Sequence, residues 1–159
     1  MLKLKGSCHC GKVVFTVSSK HPYPFNLCYC SICRKTAGGG GFAINLGGDY
    51  HSLKVSGENW ISVYKAKLDD GMQANVCERR FCKKCGSALW VWDSRWPQLI
   101  HPFASAIDTP LPIPPARTHL MVASKSAWVE INFGNDDLKF EEYPVQSIEE
   151  WHVQHKLEK

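Results

Sequence analysis

The sequence lacks both a strong charge of one sign and a long apolar run. Its 159 residues include 19 Lys and Arg against 15 Asp and Glu, so the formal net charge is only +4. A charge this small argues against nucleic acid as a partner. No segment approaches the roughly 20 apolar residues of a membrane-spanning helix, and lysine, glycine and cysteine interrupt the N-terminus before a secretory signal could develop. We therefore expect no membrane partner and a cytoplasmic location, with the nucleus as the alternative.

Cysteine, in contrast, is abundant. The chain has eight cysteines, and in a reducing compartment such residues bind metal more often than they form disulfides. Seven of them fall in three short groups, with Cys77 alone. The groups are the first pair (Cys8 and Cys10), the cysteine triad (Cys28, Cys30 and Cys33) and the second pair (Cys82 and Cys85).

The apolar pattern predicts one mainly β domain over residues 1–159. Short alternating runs, separated by turn signals such as LGGD and KKCGS, indicate antiparallel strands. These runs lie at 12–18, 42–46, 53–57, 61–66, 74–82, 88–92, 119–124 and 128–133.

Two short helices are also predicted. One begins near Ser31, carries Cys33 and stops at the four glycines 38–41. The other occupies a C-terminal extension, 145–159, in which Ser147 and Glu150 form a capping box. We expect the apolar face of this second helix to cover the sheet.

The spacing within each cysteine group suits a shared metal ion. Residues two apart in a strand point the same way, so a C-x-C pair can present both sulfurs to one ion. A C-x-x-C pair wraps a turn around the ion, and CKKCG at 82–86 has that form. Zinc is the expected metal because it favours four tetrahedral thiolate or imidazole ligands.

Two partitions of the cysteines are compatible with these spacings. In one, the first and second pairs form a closed structural site, and the cysteine triad holds another ion with an open coordination position. In the other, Cys30 and Cys33 join the second pair. The first partition is favoured because the compact triad supplies three ligands without closing a long loop. An iron–sulfur cluster is disfavoured, since the spacings match neither common ferredoxin run.

The motifs GSCHCG (6–11), CYCSICRK (28–35) and RRFCKKCGSALW (79–90) resemble the centromere protein V / glutathione-dependent formaldehyde-activating enzyme (CENP-V/GFA) family. The segments THLMVASKSAWVEI (118–131) and KFEEYP (139–144) resemble its closing part. The resemblance implies a β-tent fold of packed antiparallel sheets. It also implies two zinc ions per chain, a structural one on the two pairs and a catalytic one on the triad.

An open zinc site with three thiolates favours thiol chemistry. Donation from the sulfurs makes such a zinc a poor activator of water, whereas a soft thiolate can take the fourth position. The resemblance points to glutathione and its formaldehyde adduct, S-hydroxymethylglutathione. We therefore expect a carbon–sulfur lyase. The alternative is a non-catalytic zinc-binding interaction module related to centromere protein V, and a methionine sulfoxide reductase is a third, weaker hypothesis.

The remaining site residues are less clearly marked by the sequence. Glutathione is anionic, and Arg34 and Lys35 directly follow the last triad cysteine, so we expect them to bind substrate, with Arg79 and Arg80 as the next candidates. No histidine lies in a motif that identifies the proton carrier. We expect Cys77 to be a buried free thiol.

Overall fold

The structure is a computed structural model that describes residues 1–66 and 77–158. The described strands are β1 Leu2–Ser7, β2 Val14–Ser19, β3 Phe25–Cys28, β4 Ala43–Asn45, β5 Gly48–Ser56, β6 Ile61–Lys65, β7 Cys77–Cys82, β8 Ala88–Asp93, β9 Leu99–Pro102, β10 Arg117–Leu120 and β11 Leu138–Lys139. The α-helices are α1 Ser31–Ala37 and α2 Ile148–Gln154, and short 3₁₀ turns occupy Glu58–Trp60, Ala104–Ala106 and Val122–Ser124.

The strands form two sheets. The larger has the order β1-β2-β5-β9-β8-β7-β6 and is antiparallel at every pairing. The smaller has the order β11-β10-β3-β4, in which β3 and β4 are antiparallel while β10 runs parallel to both β3 and β11. The mainly β prediction is confirmed, and the parallel pairs are a detail that the apolar pattern does not encode.

The main core is built on the period-two alternation of the first two strands. Leu4 pairs with Val17 in the register of β1 and β2, and both side chains are buried. Phe15 packs edge-on against Trp90 of β8, with 5.0 Å between ring centroids. Burying each such side chain stabilises the fold by about 1.5–3 kcal/mol.

The prediction of a strand at 128–133 is wrong. This stretch is irregular, because its backbone groups bond locally instead of to a neighbouring strand. The Lys125 ammonium donates to the carbonyl of Val129 at 2.6 Å, and the Val129 N–H bonds to Ser126 O. Val129 is buried beneath this turn while Trp128 is exposed. The apolar residues of this stretch therefore anchor a loop.

The strand predicted at 119–124 is only partly present. β10 ends at Leu120, Met121 takes a left-handed conformation with φ 58°, and a 3₁₀ turn follows. The apolar pattern also failed to predict four strands that are present, β1, β3, β9 and β11. The last three are two to four residues long, which is too short for a two-residue period to stand out. The 74–76 part of the predicted strand 74–82 lies outside the described residues.

Both predicted helices are present, although α2 ends at Gln154 and does not continue through the extension. In α1, the Cys30 sulfur accepts from the Cys33 N–H and caps the first turn, and the helix ends before Gly38. In α2, Ser147 and Glu150 form the predicted capping box. No helix among the described residues is long and apolar enough to cross a membrane.

Gly57 generates a prediction about the fold. It follows β5 with φ +82°, and a Cβ atom there would lie 1.8 Å from the Lys12 carbonyl oxygen. We expect Gly57→Ala to lower the free energy of unfolding by at least about 2 kcal/mol, since both the backbone conformation and the contact are strained. Gly39→Ala is the matched control, because a Cβ there meets nothing within 4 Å. Equal denaturant midpoints for the two variants would contradict this account.

Candidate metal centres and the adjoining cavity

The first and second pairs meet in one four-sulfur group. Cys8 and Cys10 follow β1, Cys82 ends β7 and Cys85 lies in the next turn, and their Sγ atoms all lie within 4.8 Å of one another. The Cys8–Cys10 and Cys10–Cys82 sulfur distances are 3.6 and 3.8 Å. Tetrahedral zinc with Zn–S bonds of about 2.3 Å would separate its sulfurs by about 3.8 Å. All these cysteines are free thiols, so the group fits a metal ion.

The cysteine triad forms a second sulfur group. Cys28 ends β3, Cys30 caps α1 and Cys33 lies in its first turn. The three buried sulfurs also lie within 4.8 Å of one another. The structure thus places Cys30 and Cys33 with Cys28 and away from the second pair. Each of the two groups could hold one metal ion.

The three triad thiols influence one another's ionisation. Hydrogen bonds from the Cys28 and Cys33 side chains lower the pKa of Cys30, and the backbone N–H of Cys33 acts in the same direction. The pKa of Cys28 is raised, chiefly because its thiol donates to Cys30. One sulfur of the three therefore favours the thiolate, which is the form that binds metal.

A buried hydrogen-bond chain holds the triad segment from behind. Tyr29, between the first two triad cysteines, bonds through its hydroxyl to His119 Nδ1 at 2.8 Å, and His119 Nε2 lies 3.2 Å from Asp137 Oδ2. Burial raises the pKa of Tyr29 to about 12, so the hydroxyl keeps its proton and can donate. Asp137 also accepts from the Arg117 and Gly134 N–H groups. His119 is therefore a structural residue.

A cavity of about 250 Å³ opens beside the triad. All three triad cysteines line it, together with Cys77 and Arg79 of β7, and His101 of β9. Its other wall comes from the segment that leads into α2. The lining residues from this segment are Phe140, Tyr143, Pro144, Gln146, Ser147, Ile148 and Trp151.

Arg79 is the positive group next to the sulfurs. Its side chain is buried, with Nη1 3.3 Å from Cys77 Sγ and Nη2 3.8 Å from Cys33 Sγ. Cys77 stands outside the triad's sulfur group, and burial raises its pKa, so it is a neutral, half-buried thiol. A buried guanidinium in this position favours negative charge on the triad.

A second arginine in the lining is already paired. Arg95 holds Asp93 through Nε–Oδ1 and Nη2–Oδ2 contacts of 3.0 and 2.7 Å. Although burial acts in the opposite direction, these bonds lower the pKa of Asp93. The carboxylate stays ionised, and the pair adds no net charge to the cavity.

Several residues that the sequence singled out lie elsewhere. Arg34 and Lys35 follow Cys33 in α1, but neither is among the described residues that line the cavity. Arg80 binds Glu78, on the other face of β7. Gly41 packs against Val129, where a Cβ would come within 2.2 Å of the valine side chain. The glycine run is therefore a loop that is packed at its two ends, Gly38 and Gly41, and exposed between them.

Sequence reasoning missed the wall formed by the C-terminal segment. The available signal was the apolar spacing of Ile148 and Trp151 on α2. Trp151 is 2% exposed and stacks on His155 with 3.8 Å between ring centroids. His152 Nε2 donates to the Tyr23 carbonyl at 2.7 Å. These contacts seat α2 against the segment before β3, so its apolar face lines the cavity.

Comparison with known proteins adds three findings. The family model described as glutathione-dependent formaldehyde-activating enzyme matches residues 3–124. A Halomonas elongata protein, provisionally named a glutathione-dependent formaldehyde-activating enzyme, is 59% identical over 155 residues, 98% of each chain. A Rhodobacter sphaeroides protein of known crystal structure shares the fold, with a TM-score of 0.54 at 24% identity over 68% of this chain and 91% of that one.

The hydrogen-bond chain behind the triad is tested by Tyr29→Phe. This variant keeps the ring but leaves His119 Nδ1 without its partner, so we expect the free energy of unfolding to fall by about 1–3 kcal/mol. Tyr64→Phe is the matched control, because Tyr64 is exposed on β6. If chemical denaturation gave the two variants equal stability, the Tyr29–His119–Asp137 hydrogen bonds would have no structural role.

Proposed function

The chain belongs to the family of glutathione-dependent formaldehyde-activating enzymes, and we propose that it is a zinc-dependent carbon–sulfur lyase acting on a thiol adduct of the S-hydroxymethylglutathione type. The observation that carries this proposal is the gathering of three buried sulfurs at a cavity large enough for an organic ligand. The provisional name of the Halomonas elongata relative supports the same chemistry.

The two sulfur groups would have different roles. Four cysteine sulfurs complete a tetrahedral zinc site, so the two pairs would hold a structural ion between β1 and β7. The cysteine triad would hold the second ion and leave one position for the substrate. When bound there, zinc would supply a soft Lewis acid that stabilises the substrate's sulfur as a thiolate.

The reaction makes or breaks one carbon–sulfur bond. In the cleavage direction, the hydroxyl of the S-hydroxymethyl group loses its proton, its oxygen–hydrogen electron pair becomes the second carbonyl bond, and the carbon–sulfur electron pair leaves on sulfur. Formaldehyde and a free thiolate result, and the reverse sequence forms the adduct. The protein must therefore stabilise negative charge on sulfur and accept a proton from oxygen.

Arg79 meets the first requirement. Four thiolates beside a divalent ion, three from the triad and one from the substrate, carry a formal excess of two negative charges. The Arg79 guanidinium contacts Cys33 from within the buried wall, where a charge is screened less than at the surface. Arg79, one of the next candidates after Arg34 and Lys35 for binding an anionic substrate, lines the cavity, whereas Arg34 and Lys35 are not among the described lining residues.

His101 is the best candidate for the proton carrier. Among the described residues that line the cavity, His101 is the only histidine. Its Nδ1 lies 3.1 Å from the Leu46 carbonyl oxygen, which can only accept, so Nδ1 carries the hydrogen and Nε2 keeps its lone pair. Burial lowers the pKa of His101, which keeps the ring neutral and able to accept a proton at neutral pH.

We place this reaction in the cytoplasm, where free thiols and thiol substrates stay reduced. We also propose that residues 1–159 act as one domain. The extension 145–159 would then be part of the catalytic unit, since α2 lines the same cavity as the sulfurs.

Two cysteine variants separate the roles of the sulfur groups. Cys33→Ser should reduce the zinc content to one ion per chain and lower turnover of S-hydroxymethylglutathione at least about 100-fold, with little change in melting temperature. Cys82→Ser should sharply lower the melting temperature or the soluble yield, because loss of a structural metal is severely destabilising. Elemental analysis, thermal melts and NMR detection of the adduct measure the three properties. A Cys33→Ser protein with full turnover would refute the catalytic role of the triad.

His101→Asn tests the proton carrier. Asparagine can still donate to the Leu46 carbonyl but offers no basic nitrogen, so kcat should fall by about 10²–10⁴-fold. Because the lowered pKa keeps His101 neutral, the wild-type kcat should stay level as pH falls to about 6.5 and decline only below that value, and the variant should lose this dependence. His51→Asn is the control, since His51 is exposed on β5. Unchanged kcat in His101→Asn would remove it from the mechanism.

A further inference from the structure

One wall of the cavity is a fixed, mainly apolar surface built by residues 140–151. Phe140, Tyr143, Pro144, Ile148 and Trp151 contribute to it. Backbone bonds anchor the segment to the sheet, from Phe140 N to His119 O at 2.8 Å and from Met121 N to Glu142 O at 2.9 Å. The wall is therefore a preformed part of the binding site.

The described lining holds three charged groups, of which Asp93 and Arg95 pair with each other. The third is Arg79, whose Nη atoms contact Cys77 and Cys33 and whose buried Nε has no hydrogen-bond partner among the described residues. One cation is thus free to meet a single negative group. Glutathione carries two carboxylates and an ammonium group, and each loses hydration on entering an apolar cavity unless it finds a partner. The described part of the lining complements an apolar ligand better than a triply charged one.

Two buried polar atoms near this wall also point to a ligand. The Trp151 Nε1–H and the Thr118 hydroxyl have no hydrogen-bond partner among the described residues. Their side chains are 2% and 3% exposed, and both residues line the cavity. Unpaired polar groups at this depth are uncommon in folded proteins. The π face of an aromatic ring on a bound molecule can accept weakly from the indole N–H.

We propose that this wall is a subsite for a compact apolar group, about the size of a phenyl ring, carried by the thiol whose sulfur binds at the triad. The inference rests on the proposed function for the position of the sulfur and narrows the substrate to adducts of apolar thiols. The cavity volume of about 250 Å³ exceeds the roughly 150 Å³ of an apolar cavity that accommodates benzene.

Calorimetric titration of the zinc-loaded protein with three thiols tests the subsite. The probes are benzyl mercaptan, 2-mercaptoethanol and glutathione. We expect benzyl mercaptan to bind with a Kd at least ten times lower than either of the others, because only its ring can be buried against the wall. Glutathione binding as tightly as benzyl mercaptan would overturn the proposal.

Variants on α2 show whether the wall provides this preference. Ile148→Ala removes part of the wall and should weaken benzyl mercaptan binding about fivefold while leaving 2-mercaptoethanol unaffected. Val153→Ala is the matched control on the same helix, since Val153 is 50% exposed and outside the lining. Tyr143→Ala, at a 66% exposed lining position, is a second variant should Ile148→Ala not fold. Equal effects of lining and control variants would overturn the proposal.

A sulfur-free probe separates this inference from the proposed function. Benzyl alcohol should bind weakly, and Ile148→Ala should reduce that binding by the same factor as for benzyl mercaptan. If zinc does not strengthen thiol binding, but benzyl alcohol binds and Ile148→Ala weakens that binding, the subsite stands and the lyase proposal fails. If all three thiols bind equally and benzyl alcohol does not bind, the subsite is refuted while the lyase proposal stands.

Discussion

The contact between the first and second cysteine pairs imposes the curvature on which the rest of the structure depends. β1 and β7 stand five places apart in the larger sheet, which in a flat sheet would separate them by about 24 Å. The sulfurs of Cys10 and Cys82 are nevertheless 3.8 Å apart. The sheet must therefore curl until its first strand approaches its sixth, and a metal ion shared by the four sulfurs would fasten it in that shape.

Because the two pairs close the larger sheet, the triad is not needed for that closure. With the larger sheet closed by the two pairs, β7 and β8 present Arg79, Val91 and Asp93 to the triad, which belongs to the smaller sheet. The Tyr29–His119–Asp137 chain holds the triad from the opposite side. The sulfurs are thus positioned by elements that do not depend on them as ligands, which is the arrangement required if one coordination position is to exchange.

The parts predicted from the sequence are those with local signals. The triad, the capped helix α2 and the alternating strands β2 and β8 each depend on spacings of two to four residues. Arg34 and Lys35 were expected at the substrate because they adjoin Cys33 in the chain, yet Arg79, 46 positions from Cys33, contacts its sulfur. The pairing of β7 with β8 and the curvature of the sheet decide which side chains face the cavity. Neither property can be predicted from one short segment of the sequence. The loop at 128–133 was mistaken for a strand because anchoring a loop and pairing a strand both require buried apolar residues.

The proposed reaction and the proposed choice of thiol depend on different parts of the chain. The residues proposed for the reaction are the sulfurs, Arg79 and His101, whereas the wall proposed for the thiol's apolar group is formed by residues 140–151. A thiolate site is indifferent to most of the molecule attached to the sulfur, because the soft interaction involves one atom. Discrimination must therefore come from surfaces that contact the remainder of the ligand. Side chains on this wall can change in shape and polarity without replacing a sulfur ligand, so a shared reaction chemistry does not imply a shared thiol.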